Sequence, residues 1–224
     1  MKSLVFLDVE TTGLQSKYHR IIEIFMFKVN YEGEIAEYHT LINPECTIPA
    51  KITEITGIAQ DNVENAPIEK QVAEAIRQFI DDGVLVAHNL AFDRRFLVEL
   101  FKRNNCKPLL SGGIDTLAIS RKLFPKLCIY PKGEGSHKLK NLMYHFGLDK
   151  AFANSHRAKD DVLLLIQVYR YLEKYANGYT NLSYPRAMTH GCPECQAAMH
   201  LVEYGNKREL ICTKGSNCAV RLVV

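Results

Sequence analysis

The sequence predicts an α/β protein, a layered sheet flanked by helices and followed by a small cysteine-rich tail. An apolar strand opens the chain, and two β-branched runs follow it at the spacing of a hairpin. Strands then alternate with segments of helical periodicity. A hairpin followed by alternating strands and helices is typical of a layered α/β sheet.

Each element has its own signal in the chain. Strands are predicted from apolar and β-branched runs, at residues 4–7, 21–30, 34–43 and 84–89. Helices are predicted from helical spacing of apolar residues, with short turns at 52–58 and longer helices at 68–80, 91–105, 138–148 and 158–176. Residues 114–124 are predicted to form a short strand end followed by a helix.

Composition changes twice along the chain and divides it into three parts. Residues 1–176 carry the α/β pattern, and 177–190 are rich in Gly, Asn, Ser, Tyr and Pro, which indicates a linker. Residues 191–224 hold four of the seven cysteines and are too few to build a core without a staple. We therefore expect two domains joined by a linker.

Bulk composition is that of an ordinary globular protein. The 224 residues are 47% hydrophobic and 24% charged, with a formal net charge of +3 that permits a polyanionic partner without requiring one. No apolar run approaches the roughly 18 residues of a membrane helix, and the N-terminal run is too short for a signal peptide. An odd number of cysteines fits a reducing compartment. The sequence predicts a cytoplasmic protein without a membrane segment.

Four acidic residues stand at positions that suggest a shared site. Asp8 and Glu10 end an apolar strand and point to the same face, where two carboxylates repel each other unless a divalent cation lies between them. Asp93 and Asp161 begin helices, and in α/β sheets strand ends and helix starts share a crevice. Taken singly, an acid in a first helical turn is more often structural, because the helix dipole favours it. By the same measure, His156 alone could be a surface residue or a cap.

Three segments in order resemble the motifs of the DEDDh (DnaQ-like) 3′→5′ exonuclease superfamily, of the exonuclease X and DNA polymerase III epsilon type. They are DVETTGL at 8–14, AHNLAFDRRFL at 87–97 and HRAKDDV at 156–162. The resemblance covers about residues 3–176. It implies a ribonuclease H-like mixed sheet flanked by helices, and an enzyme that hydrolyses terminal phosphodiester bonds of DNA to release nucleoside 5′-monophosphates.

The resemblance also implies the roles of the acidic residues. Asp8, Glu10, Asp93 and Asp161 would hold two Mg²⁺ or Mn²⁺ ions, and His156 would be the general base. In such a site two ions about 3.5–4 Å apart hold the attacking water and the leaving oxygen. A histidine titrates near neutral pH, which suits it to accept the proton of the water.

Further residues are expected to contact the terminal nucleotide by the same resemblance. The segment after the first motif would bind its 3′-hydroxyl, Leu14 would act as a wedge at the terminal bases, and Phe92 would either stack or pack. The expected substrate contacts are Thr11, Thr12, Gly13, Leu14, His88, Asn89 and Phe92.

The tail presents C-x2-C-x16-C-x5-C, at Cys192, Cys195, Cys212 and Cys218. Two closely spaced pairs suit tetrahedral zinc, and four thiolates leave no open position, so the site would be structural. The segment resembles the four-cysteine zinc ribbons of bacterial topoisomerase I. The alternative is a pair of disulfides.

The resemblance is compatible with more than one substrate and partner. The expected partner is a nucleic acid 3′ end, with DNA favoured and RNA possible, as in the ribonuclease T and oligoribonuclease branches. A third possibility is an inactive nucleic-acid-binding scaffold, against which the presence of all five motif residues argues. A homodimer and a DNA polymerase or repair partner are both possible.

Overall fold

The computed structural model describes residues 2–30, 32–109, 112–125, 127, 137–152 and 156–176, and the backbone of three later strands. It contains two compact units. The first comprises residues 1–116 and 154–166, and the second comprises 117–153 and 167–224. The predicted linker lies outside the described residues, so the domain boundaries at 176 and 190 stay predictions.

Five strands within the described part of the first unit form one mixed sheet. They are β1 (Leu4–Thr11), β2 (Ile21–Val29), β3 (Ile35–Leu41), β4 (Val84–Ala87) and β5 (Ile114–Asp115), in the spatial order β3-β2-β1-β4-β5. Strand β2 pairs antiparallel with both β3 and β1, whereas β4 pairs parallel to β1 and β5. The predicted mixed sheet is confirmed.

The helices lie close to where their periodicity predicts them. They are α1 (Ala50–Thr56), α2 (Gln60–Val63), α3 (Glu69–Ile80), α4 (Leu90–Arg103), α5 (Thr116–Leu123), α6 (Leu139–His145) and α7 (Ala158–Ala176). The four-residue α2 has no counterpart in the sequence prediction, because one helical turn is too short to show a periodicity. None of the described helices is apolar over enough of its length to cross a membrane.

The main core lies on one face of the sheet, against α3 and α4. Alternate residues of β1, Val5, Leu7 and Val9, are buried in one cluster with Ile76 of α3 and Phe96 of α4. Because strand side chains alternate between faces, the even-numbered residues of β1 point to the opposite face. The two acids of β1 therefore lie on the face of the sheet opposite to this cluster.

A bulge interrupts β2 next to the residue that pairs with Glu10. The register between β1 and β2 pairs Glu10 with Glu23, then shifts so that Thr11 pairs with Ile21. Ile21 belongs to the main core, whereas Ile22 packs in a separate buried cluster. The extra residue, Ile22, thus lets β2 bury its first two isoleucines in two different clusters beside the Glu10–Glu23 pair.

The second unit holds an aromatic cluster and the later strands. Phe146 stacks on Tyr171 at 4.8 Å between ring centroids, and Phe124 meets Tyr175 edge-on at 5.2 Å. Three strands with a described backbone, β6 (Met199–Tyr204), β7 (Lys207–Cys212) and β8 (Arg221–Val223), pair antiparallel in that order.

The expected zinc ligands fall almost entirely beyond what the structure describes. Cys192, Cys195 and Cys218 lie outside the described residues, and Cys212 is described by its backbone alone, at the end of β7. The zinc site therefore stays a prediction.

Candidate active site

Three carboxylates from two distant segments meet beside β1. Asp8 and Glu10 project from the same face of the strand, and Asp161 comes from the first turn of α7. One oxygen from each lies within 4.8 Å of the others. Asp161 is buried, whereas Asp8 and Glu10 are partly exposed, so the group is open to solvent on one side. Clustered carboxylate oxygens of this kind are the ligands that Mg²⁺ and Mn²⁺ prefer.

A fourth carboxylate is tied to the same strand. Asp93 in the first turn of α4 is 3% exposed, and the backbone N–H of Val9 donates a hydrogen bond to it. Burial raises the pKa of Asp93 to about 8, with the charge of Asp115 adding to the effect and the Val9 N–H opposing it. Asp93 is thus held protonated near neutral pH unless a cation is added.

The electrostatics of the site favour a cation. Burial raises the pKa of Asp8 well above its ordinary value, and the charges of Asp93, Glu10 and Asp161 raise it further. Burial followed by the charges of Asp161 and Glu23 raises the pKa of Glu10 to about 8. Carboxylates this close resist simultaneous ionisation, and a divalent ion removes that resistance. The donor set therefore fits a hard divalent metal.

His156 lies two residues before α7, on the segment that brings Asp161 to β1. It is exposed and adopts a left-handed backbone conformation with φ of 54°. Non-glycine residues adopt this region only where their surroundings hold them there. Those surroundings include the next two residues, Arg157 and Ala158, which both donate hydrogen bonds to the buried carboxylate of Glu23.

The loop after β1 is held rigidly by its own residues. Thr12 exchanges hydrogen bonds with the backbone of Arg20, and the Thr11 hydroxyl donates to Gly13 O at 2.8 Å. The hydroxyls of both threonines, expected to contact substrate, are therefore engaged within the loop, and both residues are buried. Leu14, the expected wedge, is 73% exposed at the tip of this loop.

Gly13 is required by a close approach rather than by its backbone angles. A β-carbon at this position would collide with the imidazole ring of His19. Gly13→Ala is expected to lower the free energy of unfolding by about 1–3 kcal/mol, because overpacking forces neighbours to shift. Thermal denaturation measures this, and the double variant Gly13→Ala/His19→Ala should recover most of the loss. A double variant no more stable than Gly13→Ala would contradict the collision.

The second motif spans the junction of β4 and α4 that carries Asp93. His88 Nδ1 lies 3.0 Å from the hydroxyl of buried Thr116, and Asn89 has a φ of 72° between β4 and α4. Phe92 is half-buried against Phe96, with the guanidinium of Arg95 4.8 Å from its ring centroid. Phe92 therefore packs against Phe96 on one side, and its contact with substrate stays a prediction.

Sequence reasoning missed one pair of residues at this site. Glu23 and Arg157 form a bidentate ion pair beneath the segment that carries His156. The signal available was an acid inside the apolar run IIEI at 21–24, where a carboxylate needs a partner. The partner lies 134 residues away, so the pattern alone did not identify it.

Comparison with known proteins relates the sequence and the fold of this chain to exonucleases. The family model described as Exonuclease (RNase_T) matches residues 5–169. The epsilon subunit of DNA polymerase III from Treponema pallidum is 36% identical over 162 residues, which cover 72% of each chain. The chain belongs to the exonuclease family, within the DnaQ-like superfamily, and the expected enzyme class is confirmed at that level.

Other relatives are much longer or share only the fold. The PolC-type DNA polymerase III of Mycoplasma pneumoniae is 35% identical over 183 residues, which cover 80% of this chain but 12% of the polymerase. E. coli exonuclease I in complex with a dT13 oligonucleotide has a TM-score of 0.70 at 16% identity, covering 94% of this chain and 55% of that one. Exonuclease X in complex with 5′ overhanging duplex DNA has a TM-score of 0.56 at 23% identity, covering 80% and 92%. These likenesses confirm the ribonuclease H-like exonuclease fold.

Proposed function

We propose that this chain is a metal-dependent 3′→5′ exonuclease that hydrolyses terminal phosphodiester bonds of DNA and releases nucleoside 5′-monophosphates. The observation that carries the proposal is the meeting of Asp8, Glu10 and Asp161 within 4.8 Å. With Asp93 they would hold two Mg²⁺ or Mn²⁺ ions. DNA is favoured because the relatives are named as DNA polymerases, and exonucleases I and X are seen with DNA.

The residues of the chain have separate tasks in this reaction. Bound divalent ions would supply an activated water and stabilise charge on the leaving oxygen. His156 would accept the proton of the attacking water at an imidazole nitrogen, since exposure lets it reach substrate and return the proton to solvent. Leu14 would contact the terminal base from the tip of the loop, while Thr11, Thr12 and Gly13 fix the shape of that loop.

A substrate panel tests this function. Single-stranded DNA, duplex DNA and RNA, each labelled at the 3′ end, are incubated with Mg²⁺ or with EDTA. Labelled mononucleotide should appear first from DNA, only with metal, and should be lost in His156→Ala. Faster release from RNA would make the enzyme an exoribonuclease. Binding without release from any substrate would instead indicate an inactive scaffold.

We further propose that the tail is a structural zinc ribbon held by Cys192, Cys195, Cys212 and Cys218. Support comes from the spacing of the cysteines and from the antiparallel strands that carry the third of them. The ribbon would hold nucleic acid or a protein. The polymerase names of the relatives support a replication partner, and a homodimer is a further candidate.

Cys212→Ser is expected to lower the zinc content of purified protein from about one ion per chain to a small fraction of that, because a tetrahedral site needs all four ligands. Elemental analysis measures the content. Cys46→Ser is the matched control, since Cys46 is an exposed free thiol of the exonuclease family region. Zinc-free wild-type protein whose tail thiols are oxidised would favour the disulfide alternative.

A further inference from the structure

Glu23 is a buried carboxylate that the proposed chemistry does not use. It is 1% exposed and stands directly opposite Glu10 in the β1–β2 register. A buried acid beside a second acid is unfavourable unless it is compensated. The groups that donate hydrogen bonds to Glu23 indicate what the residue does.

Both oxygens of Glu23 are fully engaged by donors. Oε1 accepts from Arg157 Nη2 at 2.8 Å and His39 Nε2 at 2.9 Å, and Oε2 accepts from Arg157 Nε at 3.0 Å and Ala158 N at 3.2 Å. Burial alone would raise the pKa of Glu23, but these hydrogen bonds outweigh it and hold the pKa below its ordinary value. Four donors use the acceptor capacity of an ionised carboxylate. Glu23 therefore has no free lone pair for a metal, although it lies next to Glu10.

The donors belong to the segment that joins His156 to Asp161. Arg157 follows His156 directly, and its carbonyl accepts the backbone N–H of Asp161 at 3.1 Å. Ala158 N–H is one of the unpaired donors at the start of α7, and Glu23 accepts it from a different element. One carboxylate of β2 thus fixes both the backbone after His156 and the first turn that carries Asp161.

We propose that Glu23 is a positioning residue of this site. Through the fork of Arg157 and the N–H of Ala158, it sets His156 and Asp161 against Asp8 and Glu10 on the neighbouring strand. The inference rests on the proposed function for its catalytic consequence. The positioning of the segment by Glu23 does not depend on that function.

The neighbouring residue Lys159 offers a matched control. Its ammonium lies 3.8 Å from Glu37 on β3 and 5.5 Å from the ring centroid of Phe25 on β2. It ties the same helical turn to the same sheet without contacting Glu23. An exposed pair of this kind contributes little, so Lys159→Gln should change activity by less than about twofold.

Glu23→Gln and Arg157→Lys are the test variants. The amide of Gln presents a donor where Glu23 accepts, and Lys cannot supply two parallel N–H groups although it keeps the charge. Each variant should lower kcat about 10- to 100-fold, as loss of a supporting residue does around metal sites. KM should change by less than about threefold, because ground-state binding is not removed. Wild-type kcat in Arg157→Lys, or an equal loss in Lys159→Gln, would overturn the proposal.

Amide hydrogen exchange provides a readout that does not depend on activity. Loss of a hydrogen bond to a charged acceptor should speed exchange at Ala158 and Asp161 about 10- to 100-fold in Glu23→Gln and leave it unchanged in Lys159→Gln. Unchanged exchange in both Glu23→Gln and Arg157→Lys would overturn the proposal. If wild-type protein releases no mononucleotide, the proposed function fails, and exchange at these amides still decides whether Glu23 positions the segment. Should Glu23→Gln not fold, Arg157→Lys, whose side chain is 44% exposed, carries both measurements.

Discussion

Asp161→Asn is expected to reduce mononucleotide release by about 10³-fold or more, since a lost metal ligand removes several kcal/mol of transition-state stabilisation. The side chain keeps its shape and its place in the first turn of α7, so the fold should survive. Asp161 is one of three carboxylates within 4.8 Å of one another, and its charge also raises the pKa of Asp8. Removing that charge should therefore make the metal-free protein more stable. Single-turnover kinetics and thermal denaturation in EDTA measure the two effects.

The adjacent residue provides the control for this substitution. Asp160 lies in the same helical turn, is exposed, and does not belong to the group of three. Asp160→Asn should stay within about threefold of wild-type activity, as surface substitutions away from a site usually do. Equal losses of activity in Asp161→Asn and Asp160→Asn would mean that the negative charge of the helix start is what counts, and that Asp161 is not a metal ligand. Such a result would remove the main support for the proposed site.

The metal-free protein is expected to lose stability as the pH rises from about 4 to about 8. Glu10 and Asp93 have pKa values of about 8 in the folded chain, and burial is the largest cause of both shifts. In the unfolded chain they ionise near 4, so the folded state binds more protons between these limits and the free energy of unfolding falls with pH. The stabilisation that comes from the raised pKa values of these two groups is fully present below about pH 4. It is lost as the pH rises through about 8. The total change should be on the order of several kcal/mol.

Added Mg²⁺ or Mn²⁺ should flatten this pH dependence, because the ion binds the ionised carboxylates and stabilises the folded state by mass action. Thermal denaturation across the pH range, with EDTA and with metal, measures both slopes. Glu10→Gln should reduce the slope in EDTA, whereas Glu54→Gln, which alters an exposed carboxylate paired with Lys51, should keep it. Glu23 has the opposite effect on stability, because its hydrogen bonds lower its pKa despite burial. Its contribution to the free energy of unfolding is lost only as the pH falls into the acid range. A metal-independent, flat profile would contradict the cation site.

Most elements of the fold were predictable because their signals are local. The apolar face of α3 includes Val72, Ile76 and Ile80, and all three are buried where the helical spacing expects them. The hairpin of β2 and β3 and the long α7 also lie where their patterns predict them. A periodicity of 3.6 or 2 residues records which side of an element meets the core. The one-turn α2 and the one-residue bulge in β2 were not predicted, because neither is long enough to repeat a pattern.

The motif acids were predictable as a set, and their convergence in one crevice was expected, but the pairing that brings them together was not. Strand alternation placed Asp8 and Glu10 on one face, and the position of Asp93 and Asp161 at helix starts indicated the same crevice. Which strand neighbours β1, and which helix crosses its acidic face, depends on the sheet order β3-β2-β1-β4-β5. That order arises from long-range pairing, which the sequence pattern does not record.

By itself the sequence determined the elements, the acidic motifs and the family. The tertiary structure alone decided that Glu23 stands opposite Glu10 and is held there by Arg157, 134 residues further along the chain. The physical reason is that a buried charge must find its counter-charge in space. Packing chooses that partner only after distant segments have come together.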